Sequence, residues 1–213
     1  TMIKSLLASI CFLLVTNLSS QVIYEEFNSS TLGESRKLKI QLPRNYDQNP
    51  DKVYPIVLVL DADYLFEPVA GNVDYYSYWE EMPEAIVVGI MQGGSRNRDG
   101  AYDDKNYFPT ETGAKFFEFI GLELIPHIDK KYRTAKFILA VGHEFTANFL
   151  NYYLFKDPPL FNGYLSLSPD LAPMMETRIP ERLAAMPNKI FYYLATGSND
   201  LKPIREVVLQ LNE

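Results

Sequence analysis

The stretch Phe137-Ile138-Leu139-Ala140-Val141-Gly142-His143-Glu144-Phe145-Thr146 decides the fold. An apolar run of strand length meets a glycine, and a helical segment follows from about Ala147. A strand that turns through glycine into a helix is the frame of a nucleophile elbow. One side chain is then displayed on a sharp turn at the carboxyl end of a sheet, and the next backbone N–H faces a developing oxyanion. Glu144 holds the displayed position, and Phe145 supplies the following amide.

Outward from this stretch, strand and helix patterns alternate. Strands are expected at residues 55–60, 85–90, 137–141, 163–167 and 190–195, with longer segments between them, which implies a mostly parallel sheet covered by helices. Two earlier segments, 22–27 and 36–42, alternate with period two; Leu38, Ile40 and Leu42 face one way, Lys39 and Gln41 the other, as in an antiparallel edge pair. The strongest helical pattern spans 113–131, where Phe117, Ile120, Leu124 and Ile128 recur at helical spacing. Thr110 or Thr112 is placed to cap it and Pro126 to kink it. Residues 92–109 read as a surface loop dense in Gly, Asn, Asp and Arg. The last segment, 203–212, reads as an amphipathic helix, which normally returns the chain to the sheet; a further, C-terminal part of the domain is therefore expected beyond Glu213.

Composition narrows the function. The 213 residues suit one domain, 21–213, with a sizeable core, since 47% are apolar and 14% aromatic. A net charge of -7 and the lack of a Lys/Arg cluster argue against nucleic acid. Residues 1–20 carry Lys4, an apolar run from Leu6 to Val15 and a small polar end, the pattern of a signal peptide for export to the periplasm or outside the cell rather than of a stable membrane anchor. Cys11, the one cysteine, lies inside that run, so cysteine chemistry drops out of the mature chain. Asp61, Asp63, Asp99, Asp103 and Asp104 have neither a His pair nor calcium-loop spacing, and no metal or cofactor is expected.

The elbow with Gly142-His143 before its centre and Phe145 after it resembles that of the putative-esterase family of α/β hydrolases, which includes enterochelin esterase and S-formylglutathione hydrolase. The resemblance extends to Leu42-Pro43-Arg44-Asn45-Tyr46, to Tyr54 through Asp61, to Phe119 through Ile128 with Tyr132-Arg133-Thr134, and to Ser166-Leu167-Ser168-Pro169. It implies a three-layer α/β-hydrolase fold, a small or siderophore-like ester as ligand, and a triad of serine, acid and histidine in chain order. Asp200 matches the acid, and also reads as the N-cap of the last helix. The loop after the strand 55–60 would supply the second oxyanion N–H, from Ala62 or Asp63. His143 and Tyr64 would line the pocket. Of the two histidines, His127 and His143, neither follows Asp200, so a catalytic histidine is expected beyond Glu213.

Two departures matter. Glu144 removes the serine hydroxyl, so the serine route is closed, and Thr146 replaces a glycine where helix and strand meet closely, which predicts a loosened turn. Three uses of Glu144 follow from its chemistry: a carboxylate nucleophile, a general base on water, or a polar residue of an inactive, ligand-binding site. Arg96, in the run Arg96-Asn97-Arg98-Asp99, reads either as a contact for an acidic ligand group or as a solvated residue. Tyr64, Phe66, Tyr75, Tyr76, Tyr78 and Trp79 read as pocket lining or, preferentially, as packing against the sheet.

Overall fold

The computed structural model describes residues 22–211; the signal peptide expected over 1–20 lies outside them. Seven strands form one sheet: β1 (Val22–Ser29), β2 (Glu34–Gln41), β3 (Tyr54–Val59), β4 (Ile86–Met91), β5 (Thr134–His143), β6 (Gly163–Leu167) and β7 (Phe191–Ala195), in the spatial order β1-β2-β4-β3-β5-β6-β7. β1 and β2 pair antiparallel, β2 runs antiparallel to β4, and β4, β3, β5, β6 and β7 are parallel. This is the mostly parallel sheet expected from the alternation, in the α/β-hydrolase architecture that the resemblance implies.

Period-two geometry splits the interior in two. On β3, Ile56 and Leu58 enter one core together with Phe116, Phe119, Phe149 and Phe161, whereas Val57 and Val59 enter another with Phe66, Ala70 and Val73. Helices thus cover both faces, α1 (Phe66–Tyr78) on the second core and the helical segments that carry Phe116, Phe119, Phe149 and Ile179 on the first. Each fully buried aromatic side chain contributes roughly 2–3 kcal/mol of apolar transfer. Gly89 permits the close seat of α1, because a Cβ there would stand 2.5 Å from the Phe66 ring and 2.7 Å from the Ala62 methyl.

Two local expectations change. The loop 92–109 contains a 3₁₀ turn (Gly93–Ser95) and a short helix α2 (Arg96–Gly100), so the Arg-rich run is ordered against the domain. The long helical pattern resolves into α3 (Glu111–Glu118), a π segment (Phe119–Leu124) and α4 (Ile125–Lys131). The irregularity falls before Pro126 and not at it. Pro126 occupies the first turn of α4, where its absent N–H costs least. Thr110 is the cap of α3, accepting from the Gly113 amide at 3.3 Å. The remaining helices are α5 (Phe145–Leu154), α6 (Met175–Ala185) and α7 (Lys202–Leu211).

Candidate functional site

β5 ends at His143 and α5 begins at Phe145, which leaves Glu144 alone to reverse the chain. It does so at φ 50° and ψ −115°, a left-handed conformation unusual for a residue with a Cβ, at a cost of about 1–3 kcal/mol. Three backbone bonds hold it there: Glu144 N–H donates to Leu167 O on β6 at 3.0 Å, and Glu144 O accepts from Asn148 N–H at 3.1 Å and Asp170 N–H at 3.3 Å. Gly142 makes the turn possible, since a Cβ there would meet Ala147 N at 2.7 Å.

Thr146 does not loosen this turn. Its fully buried hydroxyl accepts from His143 N–H at 2.9 Å and lies 2.8 Å from Asp61 Oδ2 and 3.0 Å from His143 O, so the added polar group is satisfied. Asp61, which in the sequence is one carboxylate among several, is the hub of these contacts. It is 1% exposed, and it receives Arg96 Nε at 2.8 Å, an Arg96 terminal nitrogen at 3.3 Å and the Thr146 hydroxyl.

Arg96 reaches from α2 across the site. The same terminal nitrogen lies 3.1 Å from His143 O, 3.2 Å from Glu144 Oε2 and 3.4 Å from the Tyr64 hydroxyl. Burial works against its charge, but the bond to Asp61 outweighs burial and the guanidinium pKa is raised. The side chain of Glu144 is 42% exposed, so this carboxylate meets solvent while one oxygen is held by Arg96. Asp170, unremarked in the sequence, stands next to it. Burial first, and the charge of Glu144 second, push the Asp170 carboxyl up.

The two oxyanion positions differ in availability. Ala62 N–H donates to Ile90 O at 3.1 Å, so it serves the loop and cannot face a ligand. Asp63 N–H has no acceptor among the described residues, and its side chain fixes the loop by accepting from Gln92 N–H and Gly93 N–H, both at 2.9 Å. Phe145 opens α5, where amides lack intrahelical acceptors. Of the three amides expected to face an oxyanion, that of Ala62 is taken by Ile90, while those of Phe145 and Asp63 have no acceptor among the described residues.

Tyr64 and His143 meet with the phenol oxygen 2.8 Å from Nδ1. Burial, then the charge of Asp61, pushes the Tyr64 hydroxyl up to about 12. Asp200 sits in the turn after β7 and does not cap α7. Its Oδ2 accepts from Gly197 N–H at 2.6 Å and Thr196 Oγ1 at 2.8 Å, and the Ser168 hydroxyl with these two donors holds its carboxyl below the usual value. The aromatic segment divides: Phe66 is fully buried, but Tyr75, Tyr76, Tyr78 and Trp79 are each at least 42% exposed and do not pack on the sheet. No group of three His, Cys, Asp or Glu able to hold a metal occurs among the described residues.

An open α/β sheet with a strained elbow at the carboxyl end of a central strand, flanked by two amides, defines the esterase-like α/β hydrolases as a class. The Esterase family model, described as "Putative esterase", matches residues 29–201. The chain belongs to that family. A solved structure of an uncharacterised protein from Capnocytophaga ochracea is 35% identical over 90% of this chain and 52% of its own, with a TM-score of 0.82. An IroE-like serine hydrolase from Shewanella oneidensis is 30% identical over 76% of this chain and 56% of its own, with a TM-score of 0.66. The enterobactin esterase FES from Shigella flexneri, solved in the presence of enterobactin, shares the fold at 17% identity and a TM-score of 0.69, over 90% of this chain and 49% of its own. The chain thus spans about half the length of these three structures. No curated protein matches it.

Proposed function

We propose that the whole protein is an exported member of this family that binds small carboxylic esters, siderophore-like esters among them, without a serine acyl step. The observation that carries this reading is the 3.2 Å pair between Glu144 and Arg96. A nucleophile must be free to approach the carbonyl and needs a base or a depressed pKa to act. The carboxylate here is already partnered by the strongest cation of the site, while the amides of Phe145 and Asp63 stay open to receive a carbonyl oxygen. Export rests on the sequence of residues 1–20, and the siderophore-like class on the likeness to proteins such as the FES esterase.

Hydrolysis through the carboxylate is the second reading, favoured by the neighbouring Asp170. In that reading Asp170, pushed up by burial and by the charge of Glu144, holds a proton while Glu144 activates water. Calorimetry and a turnover assay of full-length protein against one ester panel separate the readings. Binding with no acid released, and no acyl adduct by intact mass, is the expected result; acid release that Glu144→Gln abolishes would establish hydrolysis instead.

A further inference from the structure

The hydrogen bonds around Tyr64 fix more than a contact. The phenol oxygen has one proton to give and two lone pairs to fill, and three partners surround it: Asp61 Oδ2 at 3.1 Å, Arg96 at 3.4 Å and His143 Nδ1 at 2.8 Å. Asp61 is a carboxylate and only accepts. Arg96 is a guanidinium and only donates. If the phenol proton went to Nδ1, Asp61 Oδ2 would keep the Thr146 hydroxyl and Arg96, but its 3.1 Å contact with the phenol oxygen would hold no hydrogen and set a carboxylate lone pair against a phenol lone pair. If it goes to Asp61, both lone pairs are filled, one by Arg96 and the other by a hydrogen on Nδ1. All three close contacts of the phenol oxygen are then hydrogen bonds, which the first arrangement does not achieve.

A neutral imidazole with its hydrogen on Nδ1 carries a lone pair on Nε2. None of the described residues hydrogen-bonds to Nε2, and His143 is only half-buried. The order carboxylate, bridging hydroxyl, imidazole repeats the logic by which a buried acid orients a histidine base, with the phenol of Tyr64 inserted between them. We propose that Asp61 and Tyr64 hold His143 in the Nδ1–H tautomer, so that Nε2 is a proton-accepting group beside Glu144 and the site favours ester ligands that carry a hydroxyl or N–H donor. Tyr64 is the positioning residue. The choice of ligand rests on the elbow being an ester-binding site; the tautomer does not.

The test has two arms. In the first, nitrogen-15 NMR of the full chain, labelled at histidine and held at about pH 8.5 where imidazole is neutral, reports which nitrogen carries hydrogen. His143→Gln assigns the signals against His127. The Nδ1–H form should prevail by roughly ten to one, the effect of one well-made hydrogen bond, and Tyr64→Phe should invert the preference toward Nε2–H. A dominant Nε2–H form in the unsubstituted chain would overturn the proposal, whatever becomes of the variant. In the second arm, calorimetry compares ethyl 3-hydroxybutyrate with ethyl butyrate. The hydroxy ester should bind roughly tenfold tighter, and His143→Phe should erase the difference. Equal affinities would overturn the ligand choice alone. If neither ester binds, the elbow reading and the ligand choice fall together, and the NMR arm still decides the tautomer.

Discussion

The turn at Glu144 and the turn at Asp200 follow parallel strands of one sheet, and each displays a carboxylate at a position where the family places a reacting group. They are held in different ways. Asp200 is held chiefly within its own turn, by Thr196 and Gly197 four and three residues away, with the Ser168 hydroxyl of the neighbouring strand end beside them. Glu144 is held by Arg96, 48 residues distant, which is itself held by Asp61, 35 residues distant, which is tied in turn to Thr146. The first turn is closed mostly by contacts of short sequence separation. The second exists only when β3, α2 and β5 are in place, so damage to one member should spread to the others.

The most severe break is at Asp61. Asp61→Ala leaves Arg96 Nε without its acceptor and takes one of two acceptors from the Thr146 hydroxyl beside a buried void, and should cost about 3–5 kcal/mol in urea unfolding, as the loss of one partner of a buried ion pair does. Asp200→Ala, by comparison, should leave the unfolding midpoint unchanged. If both variants behaved alike, the contrast between the two turns would fail. A smaller loss is expected of Thr146→Val, which keeps shape but leaves His143 N–H without its acceptor, at about 1–3 kcal/mol.

The least effect belongs to a third carboxylate, Glu123, which ties the β1–β2 hairpin to the π segment through Ser29, Ser30 and Thr31. Burial raises its pKa, but the donors outweigh burial and lower it to about 2. A depressed carboxyl stabilises the fold at pH above its unfolded value of about 4.3 and loses that contribution as pH falls toward 2. The difference in urea midpoint between the unsubstituted chain and Glu123→Gln should therefore be present at pH 7 and vanish near pH 2. A difference that does not change with pH would mean that packing, not charge, joins hairpin to helix.

How much of this was legible beforehand follows from the same contrast. The sheet, the elbow frame and the position of Asp200 were written in short patterns: apolar runs of strand length, a glycine at a crowded turn, a Thr-Gly-Ser-Asn-Asp loop. The roles of Arg96 and Asp61 depend on contacts across 35 to 85 residues, and no local spacing encodes them. Ala62 and Asp63 were indistinguishable because the choice is made by Ile90, whose carbonyl takes one amide and leaves the other. Thr146 looked like crowding because its hydroxyl's partners were out of view. Composition could not show that Tyr75, Tyr76, Tyr78 and Trp79 point to solvent; an aromatic cluster reads as core unless its helix face is known.

The bond between Glu144 and Arg96 bears most of the functional reading, and a double-mutant cycle tests it directly. Glu144→Gln, Arg96→Gln and the double variant, unfolded in urea at low salt, should show a coupling of about 0.5–1 kcal/mol between a partly exposed carboxylate and its guanidinium. Additive losses would mean that Glu144 is free in solution, and with it free to act on a substrate.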